Sequence, residues 1–194
     1  MRKLTLTISI TCSLFIIGCK NEKTSTNTQK EIKKAIKTQE TESSKTFTKY
    51  YKSEHKATGY SFFVESKNGE TSTINLFTKG GATNFNESIE IEGVVLSSFM
   101  TDINKDGFKE FFIKILPTDD SGNLELIGYA SNKGKSISQI FVRKIDAQKE
   151  INSDKLTITE NEITREFKEN GITKKYNYQL VEGEAGYQLE PRVK

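Results

Sequence analysis

The nine residues 102–110, DINKDGFKE, carry an oxygen-bearing side chain at alternate positions: Asp102, Asn104 and Asp106, followed by Gly107 and, closing the run, Glu110. A calcium ion takes hard oxygens. A loop that wraps it places ligands at positions 1, 3 and 5, glycine at 6 for the sharp bend, and a backbone carbonyl at 7. Asp102, Asn104, Asp106, Gly107 and Phe108 follow that order, and Glu110 at position 9 supplies a last carboxylate. Position 12, where an EF-hand keeps its bidentate glutamate, is Ile113, and the flanks VVLSSFM and FFIKIL read as strands, so the run is not an EF-hand. The same letters have a second reading. Asp and Asn side chains bond to nearby backbone and glycine accepts positive φ, which makes a strand-to-strand turn without an ion. Calcium loop and plain turn both stand as alternatives.

Other constellations with chemical meaning are scarce. His55, the single histidine, lies among lysines and glutamates with no partner fixed by sequence. There is no G-x-S-x-G elbow, no H-E-x-x-H and no glycine-rich phosphate loop. No pair of acids is singled out among the many in the chain. The reading is therefore of a binding protein and not an enzyme.

The elements that must position these residues begin at residue 47. Residues 1–18 have the layout of a bacterial signal peptide: a basic start, MRK, then the apolar run LTLTISITCSLFII. That run is short for a membrane span, which takes roughly 20 apolar residues. Gly18 directly before Cys19 resembles a lipobox, which makes Cys19 the expected lipidation site and the protein a lipid-anchored resident of the cell envelope. The outer membrane is its expected home, on the periplasmic or the surface side. Cys12 leaves with the signal and Cys19 is consumed by lipid, so no thiol remains for a disulfide, a nucleophile or a metal. Residues 19–46 are expected to form the lipidated cysteine and a disordered tether: from 20 to 45 there is no aromatic residue, too little apolar surface to repay ordering. As a flexible coil it spans on the order of 28 Å. The tether carries 7 Lys against 4 Glu, while 47–194 carry 20 Lys and Arg against 22 Asp and Glu. With the excess of basic charge outside the domain and no basic patch interleaved with aromatics, nucleic acid is not an expected partner.

Residues 47–194 are expected to be one all-β domain, an antiparallel β-sandwich or a strongly curved sheet. YSFFVES and STINLFT flank KNGE, where Asn68-Gly69 signals a two-residue hairpin turn. IEIEGVVLSSFM, FFIKIL, LELIGYA and SISQIFV are short apolar runs punctuated by Gly, Asn and Asp. LTITENEITREFKENGITKKYNYQL alternates apolar with charged residues and turns at Glu160-Asn161 and Asn170-Gly171, an antiparallel meander with one wet face. Exposed edges of such sheets leave a homodimer open.

Across roughly 60–189, the order DINKDGFKEFFIKI, LIGYASNKGKSISQIFV, KKYNYQLVEGEAGYQLEP resembles the periplasmic inhibitors of i-type (invertebrate-type) lysozyme. In that family a DG-containing turn precedes an apolar strand, a GKS motif opens another, and a GEAGWQL-like element closes the chain. The resemblance implies a β-sandwich that blocks a lysozyme by inserting a loop reading like Ser-Gly-Ser-Tyr-Gly into the enzyme's cleft. Counted back from Gly134-Lys135-Ser136, that loop falls on 118–125, TDDSGNLE, with Asp119, Asp120, Ser121, Gly122 and Asn123 as the expected partner-binding residues. The family's tyrosine is missing here, and its second glycine is replaced by Leu124 or Glu125. Asp119, Asp120 and Glu125 would suit a basic partner.

Overall fold

The computed structural model describes residues 48–119, 121–143 and 151–192. The signal segment, Cys19, the tether to 46 and Asp120 lie outside the described residues. Among those described, no helix is long and apolar enough to cross a membrane.

Among the described residues twelve strands follow one another: β1 (Tyr50–Lys56), β2 (Tyr60–Lys67), β3 (Ser72–Gly80), β4 (Asn86–Ile91), β5 (Gly93–Thr101), β6 (Glu110–Pro117), β7 (Glu125–Ala130), β8 (Ser138–Val142), β9 (Ile151–Ile158), β10 (Ile163–Glu169), β11 (Ile172–Gly183) and β12 (Gly186–Arg192). One 3-10 turn, Asn132–Gly134, stands between β7 and β8. The first four strands form one sheet in the order β1-β2-β3-β4, and the rest a second in the order β5-β6-β7-β8-β12-β11-β10-β9. The domain is all-β, as its pattern predicts. The pairing is antiparallel except between β8 and β12, which run parallel through Gln188↔Phe141 and Leu189↔Val142.

Two cores explain the layers. On β2 and β3, Tyr60, Phe62, Val64, Ile74 and Leu76 alternate inward and meet Val95, Phe111, Ile113, Ile115 and Tyr129 of the larger sheet. Phe62 and Phe111 stack at 4.7 Å between ring centroids. The larger sheet also curls on itself around a second core of Ile103, Phe112, Ala130, Ile140, Leu156, Ile163, Tyr178 and Leu189. Strand β6 lies between the two, so Phe111 faces one core and Phe112 the other. That position is why FFIKIL is a continuous apolar run: a strand covered on both sides has no wet face to alternate with. Gly128, across the ladder from Phe112, leaves the space its ring needs, since a Cβ there would stand 2.6 Å from Phe112 Cε1.

The curl brings the two ends of the large sheet together. At the end of β5, Asp102 N–H donates to Glu160 C=O at 2.8 Å and Thr101 Oγ1 donates to the same carbonyl at 3.0 Å. Sandwich and strongly curved sheet are both present in one domain.

The hairpins divide. Asn170-Gly171 forms the two-residue turn expected, with Glu169 and Ile172 paired across it and both turn residues at positive φ. Glu160-Asn161 also turns tightly, with Thr159 N–H donating to Glu162 C=O. Asn68-Gly69 does not make the expected two-residue turn: Lys67 pairs with Thr73, leaving a longer connection. The reason is the Asn68 side chain. It is buried, donates to the carbonyls of Val95 at 3.0 Å and Thr48 at 2.8 Å, and accepts from the Val95 N–H at 3.0 Å. Asn68 thus satisfies both main-chain groups of Val95, next to the point where the β5–β6 register shifts between Val95 and Ser97.

Candidate functional site

The segment between β6 and β7 is held at both ends, with Asp119 exposed and Ser121, Gly122 and Asn123 half-buried between them. Behind it, Thr118 N–H donates to Glu92 C=O at 3.2 Å. Thr118 and Asp119 are exposed. Ser121 Oγ donates to Asp119 Oδ1 at 2.6 Å and accepts from Asn123 N–H at 3.2 Å, a local turn of the kind serine favours. Gly122 sits at φ 65° with open space around it. Ahead of the tip, Leu124 turns inward and packs against the second core.

What holds Leu124 is a buried ion pair. Its N–H donates to Asp154 Oδ2 at 2.7 Å, and its carbonyl accepts from Arg165 Nη2 at 2.8 Å. Arg165 also donates through Nε to Asp154 Oδ1 at 2.8 Å, and through Nη2 to Asp154 Oδ2. The Asp154 side chain is 0% exposed and that of Arg165 6%. Burial alone would lower the pKa of Arg165; the hydrogen bonds and charge of Asp154 outweigh it, and the guanidinium stays above its ordinary value. Around this clasp lies a recess of about 190 Å³, lined on the loop side by Asp119, Ser121 and Asn123 and on the barrel side by Arg143, Arg165 and Tyr178.

Neither Asp154 nor Arg165 was marked by a sequence motif. A signal exists in the alternation of β10, where Ile163, Arg165 and Phe167 share the buried face. An arginine at an apolar position of an alternating strand calls for a buried partner. Of the five expected loop residues, Asp119, Ser121, Gly122 and Asn123 are brought together on one turn, and Asp120 lies outside the described residues.

The 102–110 turn is organised by its own backbone. Asp102 Oδ1 and Asn104 Oδ1 accept from Asp106 N–H at 3.0 and 3.1 Å, Asp102 Oδ2 from Gly107 N–H at 3.0 Å, and Asp106 Oδ1 from Phe108 N–H at 2.9 Å. Lys105 and Gly107 take positive φ. Glu110 is buried and accepts from Ile103 N–H at 3.0 Å. Its carboxyl is pushed up to about 7 by burial, against the hydrogen bond from Ile103 and with help from the charges of Asp106 and Asp102. The oxygen donors are of the type calcium takes. Among the described residues, no three His, Cys, Asp or Glu side chains are grouped to hold a metal ion.

His55 does have a partner. Its Nε2 lies 2.7 Å from Ser98 Oγ, which also meets Tyr51 Oη at 2.8 Å and Ser53 Oγ at 2.7 Å, a polar seam between β1 and β5. Burial lowers the pKa of His55.

Comparison of the chain with models of known protein families and with curated proteins gives no match. What fold and site define together is an all-β domain with a curled eight-stranded sheet, presenting a short acidic turn clamped at its mouth.

Proposed function

We propose that the protein is a lipid-anchored envelope binding protein that engages and inhibits a lysozyme, i-type-like, through the 118–124 turn. The observation that carries this reading is the shape of the turn: Asp119 is exposed at its tip, while Leu124 behind it is held by two hydrogen bonds to a buried pair. A ligand-binding loop on a rigid scaffold loses little freedom on association. Its carboxylates suit a basic enzyme and speed encounter with it. Inhibition on this reading is occlusion, with the turn occupying the cleft that a glycan strand needs, and it requires no cofactor. Lipidation at Cys19 would keep the domain at the membrane, with the tether giving it reach. The test is binding of the full chain, in mild detergent, to immobilised i-type lysozyme: association at micromolar concentration is expected, and none at that concentration overturns the reading.

Calcium binding at the 102–110 turn, with a structural or adhesive role and no inhibitory activity, is the second reading. Glu110 favours it: a buried carboxyl held up by burial and by two neighbouring acids is one that a divalent cation would stabilise in its charged form. Asp102, Asn104, Asp106, the Phe108 carbonyl and Glu110 would supply the oxygens, and the ion would have to draw them together, since among the described residues three acidic side chains are not grouped there and those of Asp102, Asp106 and Glu110 accept from backbone N–H groups. Calorimetric titration at pH 8 is expected to give heat in the wild type and none in Glu110→Gln; no heat at millimolar calcium removes this reading.

A further inference from the structure

We infer that Asp154 and Arg165 form a latch whose task is to fix the 121–124 side of the β6–β7 turn in one shape, so that both are positioning residues for what the turn binds. Its effect on binding rests on the reading above; the latch itself does not.

The case starts from the two main-chain groups of Leu124. Both are satisfied by the same ion pair, the N–H by the carboxylate and the carbonyl by the guanidinium. The pair therefore does for Leu124 what a neighbouring strand would do: among the described residues Leu124 has no ladder partner, the β6–β7 pairing ending at Ile115↔Glu125. A carboxylate alone could hold the donor but not the acceptor. Arginine is suited to the second role because its planar fork bonds a carboxylate through two nitrogens and still has donors to spare.

Stability alone does not account for such a pair. Well-packed apolar side chains of similar volume at buried ion-pair positions are often neutral or better for stability. Arg165 lies on the apolar face of β10, where Ile163 and Phe167 show that apolar residues pack. What apolar residues could not supply is a bond to each main-chain group of Leu124.

The backbone next to Asp154 carries a matching irregularity. Ser153 sits at φ 59°, a conformation L-residues rarely adopt, where the β9–β10 register shifts between Glu166 and Lys168. Bulges of this kind re-aim side chains and cluster beside functional sites. Here the one on β9 immediately precedes the carboxylate that receives the turn.

The test uses the full chain in detergent and measures amide hydrogen exchange over 121–126, in the wild type and in the double variant Asp154→Leu/Arg165→Met. The double variant removes both bonds while leaving no unpaired buried charge. In the wild type the Leu124 amide is expected to be protected. In the variant its protection should fall by at least about tenfold, with the amides of Phe62 and Ile113 unchanged as a check of folding. Binding to immobilised i-type lysozyme should weaken on the order of tenfold, through lost pre-organisation. A wild-type Leu124 amide that exchanges freely overturns the latch and needs no variant to show it. Unchanged protection in a folded double variant overturns it as well. If the wild type binds no lysozyme, the inhibitor reading falls, and exchange at Leu124 still decides the latch.

Discussion

Asp154 and Arg165, eleven positions apart on neighbouring strands, pair at 2.8 Å between Oδ1 and Nε, and together they hold both main-chain groups of Leu124. Removing one partner leaves the other as an uncompensated buried charge. Asp154→Ala is therefore expected to cost about 3–5 kcal/mol of folding stability. Asp154→Leu/Arg165→Met should recover most of that loss. Urea denaturation of the three proteins checks this, and a single variant as stable as the wild type would show that the pair is not desolvated as described.

Glu110 gives the domain a defined pH response. Its carboxyl titrates at about 7 when folded against an ordinary 4.5, so the folded state binds the proton more tightly than the unfolded state does. The sign follows from linkage: the group costs nothing below pH 4.5, and its cost grows as pH rises from there through 7. At about 1.4 kcal/mol per unit, the full effect is on the order of 3 kcal/mol. Denaturation midpoints in chelator should therefore fall between pH 5 and pH 8 in the wild type. In Glu110→Gln they should fall much less. His55, lowered by burial, works in the opposite direction below its ordinary value of 6.5 and partly offsets the trend there.

Two Asn-Gly pairs make contrasting predictions. Asn68 is buried and bonds the N–H and C=O of Val95, so Asn68→Ala should orphan both at a cost of about 3 kcal/mol. Asn170 lies exposed in a hairpin turn at φ 50°, and Asn170→Ala should cost only about 1 kcal/mol, the strain of alanine in that conformation. Thermal or urea midpoints of the two variants test this. Equal effects would contradict the assigned roles.

That contrast also shows how far the fold was legible. Asn170-Gly171 reads correctly because nothing but the hairpin competes for it. Asn68-Gly69 has the same local signal, and a distant strand overrides it by recruiting the Asn68 amide. The β9–β11 meander follows from alternation. The parallel contact of β8 with β12 leaves no trace in sequence, since two paired residues impose no pattern. FFIKIL signals double burial without saying which two layers cover it. At the site, the acidic turn is picked out only through the resemblance, counted back from Gly134-Lys135-Ser136, and its anchors are marked by no motif at all. Asp154 and Arg165 are chosen by the curl that brings β9 and β10 to the mouth of the sheet, a long-range event. Only the arginine on the buried face of β10 hints at it.

The most direct test of the account is a turbidity assay in which i-type lysozyme clears a bacterial cell-wall suspension in the presence of the purified protein, with c- and g-type enzymes alongside. Micromolar protein should slow clearing by the i-type enzyme, and Asp119→Ala/Asp120→Ala should lose most of that effect without losing stability. Undiminished clearing by all three enzymes at micromolar excess of the wild-type protein would contradict it.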